Sequence, residues 1–260
     1  MGKRDDIAER YRLDSVNIAD RRIAKMAQVA DSLDSEMKAL LIKSEVAGAV
    51  DLALAKANVE SAIADAGYYV QVGEVINEDY RLVIINSFDQ YKEIYKDTFL
   101  FADSSLDIMN TAKMIDLDNF NKLGEGVNTE LTREVLNFGM GAVTRTQAEA
   151  HIASIIEKYI GGRSTNGWAK TAIQDGVMAH FNLANTRLAL DNGLKKFKYV
   201  GGLIATSRDF CIQHVGQVHT IEEWNEIAEK WNNSGRAKVG IPFEVLRGGY
   251  NCQHSLLAVS

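Results

Sequence analysis

The sequence predicts a mainly α-helical protein, in which long N-terminal helices precede a small α+β C-terminal domain with short strands. The chain of 260 residues holds a single proline, Pro242, so little interrupts helical hydrogen bonding. Apolar residues recur at helical spacing over most of the chain before Asn192, which indicates amphipathic helices. Beyond Gly193 the apolar period shortens towards two, which is typical of strands.

The N-terminal region is predicted to contain two helices separated by a link. Residues 1–20 are charged and weakly periodic, which indicates a mobile arm or an irregular helix. A long helix is predicted over 18–66, with Gly48 as a possible kink. A short extended link is predicted over 68–75, and a second helix over 78–97.

The second helix carries an aromatic stripe on one face. Such a stripe is more often core, or a contact with a partner helix, than a ligand-binding box. We assign it as the partner-binding surface of the helical region. Its members are Tyr80, Ile84, Phe88, Tyr91 and Tyr95.

The middle of the chain is predicted as shorter helices. One begins at Ser104 or Ser105 and ends near Met114. Another follows Thr144, because Thr144 and Gln147 have capping-box spacing. The sequence over 116–121 superficially resembles a calcium loop, but it lacks the glycine and glutamate that such a loop requires. We therefore interpret it as a cap or a solvated turn.

A domain boundary is predicted after Gly161 and Gly162, where glycines precede a short polar run. Residues 1–162 are then a helical partner-binding region, and 163–260 form the C-terminal domain.

The C-terminal domain is predicted to open with a helix over 167–192, which carries His180 on its buried side as a core histidine. A strand is predicted over 197–200. A capping box at Thr220 opens a helix that ends near residue 231. A second strand is predicted over 243–246.

Bulk composition excludes some classes of protein. The net charge of −6 argues against a protein that mainly grips nucleic acid, because phosphate binding requires clustered Lys and Arg. No secretory signal and no membrane-spanning stretch is evident. Two cysteines without such a signal indicate a reducing compartment, where a disulfide between them is the less favoured interpretation.

Two short patches contain both cysteines, as Cys211-x-x-His214 and Cys252-x-His254. Two thiols and two imidazoles are a ligand set that zinc takes tetrahedrally, so these four residues are the predicted metal ligands, with zinc as the candidate cofactor. A structural interpretation, in which both cysteines are small buried hydrophobes, stays open. So does a nucleophile–base arrangement. We assign no catalytic residue and no organic-cofactor site, because no nucleotide-binding or hydrolase motif is present.

The order of these features resembles the Mu F-like minor head (head morphogenesis) proteins of tailed bacteriophages. The resemblance covers about residues 165–260 and is carried by short motifs in a fixed order: Thr171, Asn185-Thr186-Arg187, Gly193, Lys198-Tyr199-Val200, Thr206-Ser207-Arg208-Asp209-Phe210-Cys211, Gly216-Gln217-Val218 and Gly248-Gly249-Tyr250-Asn251-Cys252-Gln253-His254. Gln253 departs from the basic residue that relatives commonly carry between the last Cys and His. An anion contact at that position is therefore not expected here.

The resemblance implies a non-enzymatic virion protein that is assembled in the host bacterial cytoplasm. Such proteins associate with the portal vertex and inner capsid and support head assembly or genome delivery. The expected partners are the portal protein and the major capsid protein, with self-association as a further expectation.

Two alternatives to this function stay open at the level of sequence. One is a hydrolase or transferase, carried in the virion, that uses the Cys/His patches. The other is an internal protein that contacts DNA and is ejected with it. The second would use an N-terminal basic arm whose residues are Arg4, Arg10, Arg12, Arg21 and Arg22.

Overall fold

The computed structural model describes residues 3–47, 51–161, 168–231, 242–249 and 252–259. Long helices come first, and three short strands lie near the C-terminus. The helices are α1 (Lys3–Ala47), α2 (Leu52–Asp65), α3 (Tyr68–Tyr95), α4 (Asp103–Gly139), α5 (Arg145–Tyr159), α6 (Trp168–Asp191), α7 (Asp209–His214), α8 (Ile221–Trp231) and α9 (Phe243–Leu246). The strands are β1 (Lys196–Val200), β2 (Val218–Thr220) and β3 (Ser255–Val259). The predicted fold class is confirmed.

The first helix begins earlier than the sequence indicated. The predicted arm over 1–20 is regular helix from Lys3 onwards, where Ile7 and Ala8 are buried in a cluster with Ile94 of α3 and Leu257 of β3. The helix predicted over 18–66 is two helices. Asp51 caps the second by accepting a bond from the Leu54 N–H at 2.8 Å, and the predicted kink at Gly48 lies outside the described residues.

The extended link predicted over 68–75 is wrong, since these residues form the first turns of α3. The chain reverses instead at Gly67, whose φ of +79° few other residues adopt. Helix α3 then begins with Tyr68, whose buried hydroxyl donates to the Phe120 carbonyl at 2.6 Å.

Helix α4 continues far past the predicted end near Met114. The polar run over 116–121 lies inside it, where the buried ring of Phe120 holds the segment to the core. The capping box at Thr144 is confirmed, with the Gln147 side chain accepting from the Thr144 N–H at 2.9 Å.

In the C-terminal third, α6, β1 and α8 match the predicted elements. The predicted strand over 243–246 is wrong, because these residues form the single helical turn α9 after Pro242. Proline lacks the N–H that a strand would donate, and its φ suits the start of a helical turn. The third strand is β3. Its first four residues are buried, and its last residue is partly buried.

The three strands form one antiparallel sheet in the order β2-β1-β3. Tyr199 pairs with Leu256, and Val200 pairs with Ser255. Trp224 of α8 covers the sheet, and its indole N–H donates to the Phe197 carbonyl at 3.0 Å. The sheet and α6 to α9 therefore share one aromatic core.

The aromatic stripe of α3 belongs to this core and is not an exposed partner surface. Tyr91 is fully buried, while Phe88 and Tyr95 pack against the same cluster. Tyr80 is buried with its ring centroid 3.7 Å from that of His180, and Ile84 is half-buried. Helical periodicity identifies an apolar face, but it does not tell whether the same chain or a partner covers that face.

The chain divides into two compact units. The first comprises Met1–Ala19, Glu78–Met114 and Gln174–Ser260, and the second comprises Asp20–Asn77 and Ile115–Ile173. They are not successive stretches of chain, unlike the predicted domains 1–162 and 163–260, whose boundary lies outside the described residues. Among the described helices, none is long and apolar enough to cross a membrane.

Asn182 of α6 satisfies the backbone beside β3. Its Oδ1 accepts from the Leu256 N–H at 2.7 Å, and its Nδ2 donates to the carbonyls of Met178 at 2.8 Å and His254 at 3.4 Å. The side chain is fully buried, so no water replaces these bonds if they are lost.

We predict that Asn182→Ala lowers the free energy of unfolding by about 1–3 kcal/mol, because the Leu256 N–H is left buried without an acceptor. Urea unfolding of both proteins measures the change. Thr111→Ala is the control, since its exposed hydroxyl donates to a carbonyl one turn earlier in α4. Equal stability of the Asn182 variant and the wild type would contradict this role.

His180 is a buried core histidine of the first unit, as its position on the inner face of α6 indicated. Neither ring nitrogen has a hydrogen-bond partner. Burial, and secondarily the charge of Lys113, lowers the pKa of His180 to about 3. The ring is therefore neutral in the folded protein at neutral pH.

The pKa of His180 in the folded protein lies below its unfolded value. The contribution of neutral His180 to the free energy of unfolding is therefore complete above about pH 6.5 and is lost as pH falls towards 3. We predict that His180→Phe removes a destabilisation of about 1.4 kcal/mol per pH unit in that window. Urea unfolding at several pH values gives the difference between variant and wild type. That difference should grow on acidification. A difference independent of pH would refute the prediction.

Candidate metal centre

Three of the four predicted metal ligands lie together in the core of the first unit. Cys211 is in α7, and Cys252 and His254 immediately precede β3. The pairing of β1 with β3 fixes the second patch beside the first. The three ligand atoms lie within 4.8 Å of one another, and all three residues are buried. This cluster can hold a metal ion.

Two of the three distances within the cluster suit a small tetrahedral ion. The two sulfurs are 3.8 Å apart, and Cys252 Sγ lies 3.5 Å from His254 Nδ1. A tetrahedral zinc with ordinary bond lengths requires about 3.8 Å between sulfurs and about 3.6 Å between sulfur and nitrogen. Both cysteines are free thiols, so neither is committed to a disulfide.

His214, the fourth predicted ligand, is not part of this cluster. It is the last residue of α7, and its Nδ1 is 3.0 Å from Gln217 Oε1. Its ring packs on Phe210. His219 contacts the same Gln217 oxygen at 3.1 Å. The chain reverses at Gly216, which has a φ of +88°, and this turn brings Gln217 back to the end of α7.

Tyr199 of β1 joins the cluster, although sequence analysis assigned it only to a strand. Its hydroxyl oxygen is 3.1 Å from Cys252 Sγ and 3.6 Å from Cys211 Sγ. Its ring stacks on His254 with centroids 5.1 Å apart. The alternation of the strand places Phe197 and Tyr199 on one face, which was the available signal for an inward hydroxyl.

Two glycines leave room around the cluster. A Cβ at Gly248 would lie 2.6 Å from Cys211 Sγ, 3.0 Å from Tyr199 Oη and 3.1 Å from Cys252 Sγ. A Cβ at Gly201 would lie 2.6 Å from His254 Cδ2. A side chain at Gly248 would clash with the donor atoms, and one at Gly201 would clash with the His254 ring. The backbone at Gly248 therefore approaches both sulfurs closely.

The two thiols differ in their protonation. The hydrogen bond from Cys211 lowers the pKa of Cys252 against the opposing effect of burial, and His254 and the Arg247 charge lower it further. The same bond with Cys252, together with burial, raises the pKa of Cys211. Loss of a proton is thus favoured at Cys252 over Cys211, and a thiolate is the form that binds a metal or attacks an electrophile.

A buried ionic network flanks the cluster through α6 and α9. Glu244 accepts from Arg187 Nη2 at 3.1 Å, and Arg247 donates to Asp175 at 3.2 Å. Both Glu244 and Arg247 are buried. Burial raises the pKa of Glu244. The network places a buried cation, Arg247, where its charge lowers the pKa of Cys252.

Four of the five arginines of the predicted basic arm contact partners within the protein. Arg12 bonds Glu9 at 2.6 Å and the Gln253 carbonyl at 3.2 Å. Arg10 pairs with Glu93, and Arg4 lies over the Tyr95 ring at 5.1 Å. In the second unit Arg22 is buried over the Phe120 ring. Each of these cations already has a partner within the protein.

Comparison with known proteins identifies no relative: no protein-family model, no curated protein and no solved structure matches this chain.

Proposed function

We propose that the protein is a bacteriophage virion structural protein of the Mu F-like minor head type, associated with the portal vertex and inner capsid. The ordered C-terminal motif set carries the proposal. Its two Cys/His patches, separated in sequence, supply Cys211, Cys252 and His254 to one cluster, so those parts of the motif act as one structural unit. The protein would support head assembly or genome delivery.

The helical part would contact the portal protein, with the major capsid protein or a second copy as further partners. Because the aromatic stripe of α3 is packed inside, the contact requires other residues. Exposed apolar side chains lie near the end of α1 and in α2, namely Ile42, Leu52 and Leu54. Leu54 lines a groove with Leu40 and Ser61. We choose this groove as the portal contact because a large exposed apolar side chain gains most from burial by a partner.

We also propose that the ion of the cluster is zinc. Two sulfurs and an imidazole form a donor set that zinc prefers over calcium or magnesium. The separations of 3.8 and 3.5 Å match the edges of a zinc tetrahedron. His254 Nε2 is buried without a partner, which agrees with a ring held through its other nitrogen.

An enzymatic function is the second candidate, because the lowered pKa of Cys252 favours a thiolate nucleophile. However, Cys252 is 4% exposed and Cys211 is 3% exposed, so a substrate reaches neither sulfur in this conformation. The choice between an enzyme and a structural site depends on the reactivity of Cys252. A hydrolase or transferase would show rapid modification of Cys252 by a thiol reagent in the folded protein, which a buried structural thiolate would not.

We predict that the full chain co-purifies with the portal protein encoded by the same phage, and that Leu54→Asp weakens this association at least about tenfold by charging an apolar contact. Leu13→Asp is the matched control, since Leu13 has similar exposure (46% against 51%). Failure of the wild-type chain to bind portal protein would refute the assigned partner. Equal losses in both variants would refute the assigned surface.

We predict that the purified chain contains one zinc and that Cys252→Ser loses it, because a thiolate ligand is removed. At free zinc about 1,000 times Kd, the wild type gains about 4 kcal/mol of stability that the variant lacks. Elemental analysis and thermal unfolding with and without chelator measure both effects. His214→Ala should keep its zinc, since His214 lies outside the cluster. A metal-free wild type whose melting temperature ignores chelator would exclude the zinc site.

A further inference from the structure

The zinc proposed above has three ligands, and its fourth position decides what kind of site it is. Catalytic zinc sites keep an open position for water, whereas structural sites are closed by a fourth protein ligand. The described residues include no second histidine or acidic group in the cluster. Tyr199 is the remaining oxygen donor that contacts both sulfurs.

The Tyr199 hydroxyl lies where a fourth ligand is needed. Its separations from the sulfurs, 3.1 and 3.6 Å, bracket the edge of about 3.5 Å that zinc sets between a sulfur and an oxygen ligand. A Cβ built on Gly248 would contact Tyr199 Oη and both sulfurs at 2.6–3.1 Å. The three donor atoms therefore converge on the side of Gly248 that carries no side chain.

The Tyr199 side chain is fixed in this position. It is fully buried, and its ring contacts Phe210, Trp224 and Phe243 with centroids 5.7–5.9 Å apart. A phenol with so little freedom loses little entropy when it binds an ion.

Burial and the two neighbouring cysteines raise the pKa of Tyr199, so an anionic fourth ligand here depends on the charge of the ion and of nearby cations. Zinc with two thiolates and one phenolate carries a net negative charge, which requires nearby cations in a buried site. Arg247 is buried, and its positive charge lowers the pKa of Cys252. Arg208 acts on Cys211, and its Nη1 donates to the Gly248 carbonyl at 3.3 Å.

We propose that Tyr199 Oη is the fourth zinc ligand, so that Cys211, Cys252, His254 and Tyr199 form a closed structural site. The inference rests on the zinc site proposed above. As the zinc–oxygen bond forms, the phenol O–H bond breaks heterolytically, and its proton passes to the solvent buffer. The alternative arrangement keeps the phenol protonated as a hydrogen-bond donor to sulfur and leaves the fourth position to water.

The test is zinc titration of the metal-free full chain with near-ultraviolet difference spectroscopy. We expect a tyrosinate absorption band that grows in proportion to bound zinc. Tyr199→Phe should still bind zinc, more weakly, without the band and with one proton fewer released per zinc. Tyr91→Phe is the matched control, because Tyr91 is equally buried in the same core cluster and should leave the band intact.

The outcomes separate this inference from the zinc site itself. Stoichiometric zinc binding without a tyrosinate band in the wild type would overturn the Tyr199 ligand and leave the three-ligand zinc site standing. No zinc binding at all would overturn both. The wild-type spectrum decides between these results even if Tyr199→Phe fails to fold.

A second variant tests where the ion lies. Gly248→Ala places a Cβ within 3.1 Å of both sulfurs and the Tyr199 oxygen, and we expect it to abolish zinc uptake and the tyrosinate band together. Gly202→Ala, which has open space around its Cβ, is the control and should retain both. Normal zinc uptake by Gly248→Ala would place the ion elsewhere and overturn the four-ligand geometry.

Discussion

The antiparallel pairing of β1 with β3 is the constraint on which the C-terminal part of the first unit depends. It places residues 252–254 beside Tyr199, although they lie more than fifty positions later in the chain. A register slip of one residue would turn Tyr199 to the opposite face of the sheet. The same register leaves no room for a side chain at Gly201, where a Cβ would lie 2.6 Å from His254 Cδ2. The sheet therefore fixes which donors meet.

The same pairing buries an unusual amount of polar chemistry. Thiols, an imidazole and a phenol share one apolar core with two buried charged residues, Glu244 and Arg247. Each such group costs free energy unless it finds a partner. Asn182 accepts a hydrogen bond from the β3 backbone. Asp175 pairs with Arg247, and Arg187 pairs with Glu244. Within the cluster, His254 Nε2 is buried without a hydrogen-bond partner.

Much of the helical architecture could be predicted, because helix signals are local. Capping boxes at Thr144 and Thr220 mark helix starts through hydrogen bonds between residues three positions apart. The errors share a different cause. Strand β3 is buried along most of its length, so it shows no alternation, and the four residues of α9 are too short a run for any period. In both cases tertiary burial, rather than the local pattern, selects the conformation.

The sequence indicated which residue types form the candidate metal centre, but not which individual residues come together there. Cysteine and histidine are recognisable as ligands in any sequence, and three of the four predicted ligands meet. His214 does not, because its ring nitrogen contacts Gln217 instead, which the turn at Gly216 brings back to the end of α7. Tyr199 was missed for the opposite reason. A tyrosine in a strand is ordinarily a packing residue, and only the strand register brings its hydroxyl to the sulfurs.

The location of the cluster also bears on the choice between structure and catalysis. A reaction centre needs a path for substrate, yet both cysteines are almost completely buried. Separating Tyr199 from His254 would at the same time separate β1 from β3, since each donor belongs to or directly precedes one of these strands. If the proposed ion binds both residues, its loss and the opening of the sheet are coupled events, and the ion stabilises the pairing itself, which is the physical role of a structural metal.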